Sequence, residues 1–94
     1  MYGKRVYEFD ERKSRLNRVK HGIDFYEAQK IWDNSHVAFL AKGLDEIRYA
    51  IIGQVREHTY TCIYTMRGQR IRLISCRRSR KQERQLYEEA IAQT

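Results

Sequence analysis

Two groups of residues in this sequence could do chemistry. From Arg67 to Arg84 the chain carries eight cations, Arg67, Arg70, Arg72, Arg77, Arg78, Arg80, Lys81 and Arg84, against a single acid, Glu83. Seven of the eight are arginines, whose planar guanidinium offers paired donors that match two oxygens of a phosphate in a way a lysine ammonium does not. Ile71, Leu73 and Ile74 lie inside the run, so it belongs to a folded element rather than a solvated basic tail. The second group is Lys20-His21-Gly22. RNA can be cut without a metal when its 2′-hydroxyl attacks the adjacent phosphorus, a reaction that calls for a base, an acid for the leaving 5′-oxygen and cations around the phosphorane. Histidine titrates in the useful range, and Lys or Arg can neutralise the developing charge.

Each group also has a plain structural reading. Exposed strands often carry Arg and Thr, and a helix C-terminus attracts Lys and His for electrostatic reasons alone. His36 and His58 stand near strand starts and read as surface residues. Tyr7, Tyr60 and Tyr64 could donate protons or stack on bases, but alternation puts the last two in the core, and Phe25 and Trp32 lie at helical spacing and read as core too. Cys62 and Cys76 lack the close pairing of structural zinc motifs and read as small buried thiols, on neighbouring strands where they could oxidise. No metal site, no cofactor motif, no Ser/His/Asp triad and no phosphate-binding glycine loop is legible.

The elements that must position these groups follow from local signals. Arg5 to Phe9 is a short aromatic-rich segment read as a first strand, and Asp10 after it caps a helix toward Lys20, with Leu16, Val19 and Ile23 expected on its apolar side. Gly22 has the character of a left-handed stop, which places Lys20 and His21 at that helix's C-terminus. Asp24 and Glu27 form a capping box for a second helix to about Asp33, burying Phe25, Ala28, Ile31 and Trp32. Strands are expected at His36 to Leu40, after a turn near Lys42 and Gly43 at Ile47 to Gly53, at His58 to Met66 and at Gln69 to Arg77.

A tight turn near Arg67 and Gly68 joins the last two strands. An even loop puts Tyr60, Cys62, Tyr64 and Met66 with Ile71 and Leu73 on one face, and Thr59, Thr61, Thr65 and Arg67 with Arg70 and Arg72 on the other. Ser79 and Gln82 read as a capping box for a closing helix with a Leu86, Tyr87, Ala90, Ile91 stripe.

Composition bounds the answer. Ninety-four residues with 41% hydrophobic content suit one core and one domain over 1–94. No apolar run approaches the roughly 18 to 20 residues of a membrane span, and Met1 to Phe9 has no signal-peptide apolar stretch, so a cytoplasmic protein without a membrane partner is expected. A net charge of +7 favours an anionic partner.

Several segments together resemble the BrnT family. They are Tyr7-Glu8-Phe9-Asp10, Asn17 through Ala28 with its Lys20-His21-Gly22, Arg48-Tyr49-Ala50-Ile51-Ile52-Gly53, and Tyr64 through Ser75 with its Arg67-Gly68 and Ile71-Arg72. The likeness runs on through Arg77-Arg78 and Glu83-Arg84 to Tyr87-Glu88. Cys76 and Ser79 stand where relatives are expected to carry alanine, a departure that bears on packing.

The resemblance implies a RelE-like α+β fold: one antiparallel sheet of about four strands, two N-terminal helices and one C-terminal helix. It also implies a metal-independent endoribonuclease toxin of a type II toxin-antitoxin system that halts translation, with no cofactor. Its partners would be an RNA substrate and a BrnA-like antitoxin in a 2:2 complex. Carried over by position, Lys20, His21, Arg67 and Arg77 become catalytic candidates, with His21 moving the proton, Lys20 and Arg67 stabilising the phosphorane and Arg77 assisting. Arg48, Arg70, Arg72 and Arg78 become RNA-binding candidates. This assignment expects the guanidinium and imidazole groups to converge in one pocket. The competing class is a non-catalytic module that binds nucleic acid or docks an antitoxin through its basic face.

Overall fold

The computed structural model describes residues 4–42 and 46–93. In chain order it contains β1 (Val6–Glu8), α1 (Glu11–His21), α2 (Phe25–Ala28), α3 (Lys30–Asp33), β2 (His36–Ala41), β3 (Arg48–Val55), β4 (His58–Arg67), β5 (Arg70–Arg78) and α4 (Lys81–Ala92). Gly43, in the expected turn after β2, lies outside the described residues.

The class is the expected α+β, but the sheet is mixed rather than antiparallel. Its order is β1-β5-β4-β3-β2, five strands, with β1 parallel to β5. A three-residue strand carries almost no periodicity, and its partner lies 64 positions along the chain (Glu8 to Arg72), so nothing local announces the pairing. The second expected helix is interrupted at Gln29, which ends α2 and opens α3.

Local capping chemistry acts as the sequence indicates at three helix ends. The Asp10 carboxylate accepts the Arg12 N–H at 2.8 Å, Gly22 stops α1 at φ 76°, and Asp24 with Glu27 forms a complete capping box. The fourth end differs. The N-cap of α4 is Arg80, whose N–H donates to Glu83 Oε1 at 2.8 Å, while the expected cap Ser79 is buried and its hydroxyl bonds Thr61 Oγ1 at 2.8 Å. Arg80 supplies no side-chain acceptor, so only the Glu83 half of a capping box operates.

One sheet face makes the core. Ile51, Val55, Tyr60, Cys62, Ile71, Leu73 and Cys76 pack there against Ile23, Phe25, Ala28, Ile31 and Trp32 from the helical segment. Full burial of side chains of this size contributes about 1.5–3 kcal/mol each. Tyr7 and Tyr64 flank Trp32 edge-on, with ring centroids 5.5 and 5.2 Å away. Helix α3 approaches β3 so closely that a Cβ on Gly53 would stand 2.8 Å from Ile31 Cγ2, and any larger residue would have to push that buried methyl aside.

Helix α1 departs from the sequence reading. Leu16 is 56% and Val19 84% exposed, while the residues α1 buries are Ser14 and Asn17. The polar pair docks the helix by hydrogen bonds: Ser14 Oγ accepts the Phe25 N–H at 2.9 Å, and the Asn17 amide donates to Ile23 O at 2.7 Å and Cys76 O at 2.8 Å. Asn17 Oδ1 also accepts the Cys76 N–H at 3.2 Å. β1 pairs only with Arg70 to Arg72, so past its end the outward backbone groups of Cys76 need partners, and the Asn17 amide supplies both. An apolar side chain at position 17 would leave them unsatisfied, which is why the apolar stripe could not be the docking face.

Cys62 and Cys76 are both fully buried, as expected, and directly opposite one another on β4 and β5, where they form a disulfide rather than two thiols. No helix among the described residues is long and apolar enough to cross a membrane.

Candidate nucleic-acid interface

The second sheet face carries the charge. In the β4–β5 hairpin Thr65 pairs with Arg72 and Arg67 with Arg70 around the turn that contains Gly68 at φ 61°, so these four side chains share a face as the alternation requires. Farther along, Tyr64 faces Leu73 but Ile63 faces Ser75, which leaves Ile74 unpaired in a β-bulge. The extra residue shifts the phase of β5. Without it Arg77 would turn toward the core; with it Arg77 stands opposite Thr61, on the same face as Arg70 and Arg72.

The parallel pairing of β1 adds an acid to this face. Glu8 is opposite Arg72, and the Arg72 Nη1 donates to Glu8 Oε2 at 3.0 Å. Arg70 Nη1 lies 3.5 Å from Glu8 Oε1, and Arg67 Nη1 4.0 Å from Glu8 Oε2. Three guanidinium groups thus converge on one carboxylate. The Glu8 and Arg72 side chains are 23% and 29% exposed, whereas Arg67 and Arg70 are 56% and 66% exposed. On the other side of Thr65, one step beyond the Tyr49–Tyr64 pair, stands Arg48. Its Nε is 3.7 Å from Glu46 Oε1, too long for a hydrogen bond, and is buried without a hydrogen-bond partner. Glu8, Arg72, Thr65 and Arg48 therefore form a row across four adjacent strands, spanning roughly 15 Å at the usual strand spacing. Thr65 is pinned by its hydroxyl to Ile47 O at 2.6 Å, so the middle of the row is rigid.

Arg77 belongs to a separate network. It forks onto Glu83 with contacts of 2.8 and 2.9 Å, and Thr61 Oγ1 donates to the same carboxylate at 3.1 Å. The Arg77 guanidinium, helped by the Arg80 N–H and the Thr61 hydroxyl, holds the Glu83 carboxyl down to about 2, and Glu83 in turn raises Arg77. This pair fastens the start of α4 to β4 and β5. From there α4 crosses over β3 and β2, where Ala50 and Ile52 are buried on the second face, and the end bearing Arg67, Arg70, Arg72 and Arg48 is left exposed to half-buried. Arg78 pairs with Tyr60 at the far end of the hairpin and is exposed.

The structure therefore brings four of the eight sequence candidates together: Arg48, Arg67, Arg70 and Arg72. Lys20 and His21 are elsewhere. α1 starts three residues after the end of β1 and touches Cys76 through Asn17, six residues along β5 from Arg70. With a rise of about 3.3 Å per strand residue, Cys76 is about 13 Å along the strand from Arg72 and about 20 Å from Arg70. His21 is one helical turn past Asn17 on α1, and its side chain is exposed and makes no hydrogen bond or ion pair among the described residues. The helix that carries His21 thus docks on β5 beside Arg77 and Arg78, at the other end of the strand from Arg70. The helix that carries Lys20-His21 is oriented by the buried Asn17, which no apolar periodicity could reveal.

The aromatic candidates settle as structure. Tyr60 is 4% exposed, and burial pushes the hydroxyls of Tyr7 and Tyr64 up, so all three serve the core side. His36 is an exposed residue whose Nδ1 lies 2.8 Å from Asn34 O, and the His58 ring is 40% exposed. Sequence reasoning missed Glu8. The available signal was the alternation of Val6 and Glu8 against Tyr7 and Phe9, which already sets Glu8 opposite the aromatic side.

Comparison with known proteins gives the class and then the family. Residues 9–83 match a family model described as "Ribonuclease toxin, BrnT, of type II toxin-antitoxin system", which makes the protein a toxin of that class with RNA as its target and an antitoxin as its partner. The chain belongs to the BrnT family. No curated protein matches it.

Proposed function

We propose that the chain is an endoribonuclease that cuts RNA by attack of a 2′-hydroxyl on the adjacent phosphate, without a metal ion, and thereby inhibits translation. The observation that carries this reading is the convergence of Arg67, Arg70 and Arg72 within 4.0 Å of a single carboxylate on an open sheet face. Groups that gather around one carboxylate present the donor geometry and charge that a phosphodiester needs, and in a phosphorane the same donors meet one more negative charge. Arg67 and Arg70, the two more exposed and more loosely held, take the scissile phosphate. Arg48 holds the strand across Thr65.

Arg77 lies farther along β5 on the same face, where it would meet a flanking phosphate with its charge already shared with Glu83; Arg78 alternates to the Tyr60 side at the end of β5 and would reach RNA only around that sheet end. Lys20 and His21, in this reading, bind RNA outside the reacting phosphate, because about 20 Å of strand separates the docking point of their helix from Arg70, which with Arg67 takes that phosphate. The proposal includes a RelE-like architecture, which rests on the family resemblance in the sequence. The proposal extends to a cytoplasmic protein held in a 2:2 complex with its antitoxin, whose mass light scattering would report.

The deciding experiment incubates RNA with the protein in EDTA. Cleavage that leaves 2′,3′-cyclic phosphate ends supports the reading. Salt-sensitive binding without cleavage would return the protein to the class of non-catalytic modules.

A further inference from the structure

We infer that Glu8 accepts the proton of the attacking 2′-hydroxyl. The inference rests on the ribonuclease reading above and names the group that His21 is too distant to be. Glu8 lies in the arginine cluster, on the face that RNA would approach, and its side chain is 23% exposed, which lets a hydroxyl reach it. Arg72 holds it with one 3.0 Å hydrogen bond from the opposite position in the parallel pair, so the carboxylate keeps its place when Arg67 and Arg70 turn to a phosphate.

The contact lengths support this division. Arg70 at 3.5 Å and Arg67 at 4.0 Å are ion pairs without hydrogen bonds to Glu8, and each side chain is more than half exposed, so moving either costs little. Both Glu8 oxygens retain unused lone pairs. A phosphodiester seated on Arg67 and Arg70 lies next to the carboxylate, which places its neighbouring 2′-hydroxyl within reach.

The step balances without a further reagent. The 2′-O–H proton passes to the Glu8 carboxylate as the 2′-oxygen forms a bond to phosphorus. The P–O5′ bond breaks, and the departing 5′-oxygen takes a proton from a solvent water; the hydroxide so formed removes the proton from Glu8. A 2′,3′-cyclic phosphate and a 5′-hydroxyl result.

The charged groups facing Glu8 are Arg67 from β4 and Arg70 and Arg72 from β5; on the approach to β1, Arg5 turns instead to Asp33 at 3.3 Å.

The test compares the wild-type chain with Glu8→Gln and Glu8→Asp on a short RNA under single-turnover conditions, with a 2′-deoxy analogue of the cleavage position measuring binding. Glu8→Gln should lose rate by a factor on the order of 10²–10³ and lose the acid limb of the pH profile. It should bind the analogue at least as tightly as wild type, since a competing anion has been removed. Glu8→Asp should recover part of the rate together with the limb. Undiminished cleavage by Glu8→Gln, or a loss of rate matched by an equal loss of analogue binding, would overturn the assignment while leaving the ribonuclease reading intact. Failure of the wild-type chain to cleave would overturn both.

Discussion

Arg72 and Glu8 occupy opposite positions in the only parallel pair of the sheet among the described residues, and their 3.0 Å contact links the shortest strand to the basic hairpin. The pairing does two things at once. It anchors β1 at the edge, and it sets a carboxylate among guanidinium groups on the face that α4 leaves open. The position of this carboxylate thus depends on a contact between residues 64 positions apart.

The docking of α1 near Cys76, away from Arg67 and Arg70, predicts that the histidine is dispensable. Lys20→Ala and His21→Ala, each at an exposed position, should change the rate of RNA cleavage by no more than about tenfold, through binding, while their thermal midpoints stay at the wild-type value. A rate loss of a thousandfold in His21→Ala with unchanged RNA affinity would contradict this.

Glu83 predicts a specific acid response. Its folded carboxyl is held at about 2, below its ordinary 4.5, so folding releases a proton in the interval between those values. The stabilisation is complete above pH 4.5 and is lost as pH falls toward 2. Urea midpoints measured across that window should fall more steeply for wild type than for Glu83→Gln. At neutral pH the variant should be less stable by about 1–2 kcal/mol, since the Arg77 fork loses its charge partner.

Asn17 should matter more than either of its apolar neighbours. Asn17→Ala removes three hydrogen bonds and leaves the backbone groups of Cys76 and the Ile23 carbonyl buried without partners, a loss of about 2–4 kcal/mol in denaturant unfolding. Leu16→Ala and Val19→Ala should each stay within about 0.5 kcal/mol of wild type.

Much of this fold is legible in short stretches of sequence, because caps, turns and strand faces are local physics. Asp10, Gly22 and the Asp24–Glu27 box each mark a helix end within four residues, and the two-residue loop at Gly68 fixes which hairpin side chains share a face. What escapes is long-range or depends on one inserted residue. The Ile74 bulge decides the side on which Arg77 emerges, and nothing in the alternation of β5 announces it. The burial of Asn17 in place of Leu16 and Val19 follows from an unpaired stretch of the β5 edge, which exists only once β1 has been found to stop at Glu8, and Ser14 is buried with it by capping the Phe25 N–H. The same dependence hid Glu8 and led to the expectation of a single pocket with His21.

The disulfide offers a fourth prediction. Closing a loop between Cys62 and Cys76, separated by 14 positions, restricts the unfolded chain by about 3 kcal/mol in the loop-entropy picture. The strands are already neighbours in the native sheet, so reduction by dithiothreitol should lower the urea midpoint by a comparable free energy and leave the far-ultraviolet circular dichroism unchanged.

The central claim is that the scissile phosphate sits on the arginine cluster at the Arg67–Gly68 turn. It is tested most directly by single-turnover cleavage of RNA in EDTA with Arg67→Ala, alongside its circular dichroism and melting midpoint. We expect a rate lower by a factor on the order of 10²–10³ in a protein that folds and melts like wild type. Cleavage at the wild-type rate by that variant would contradict the account.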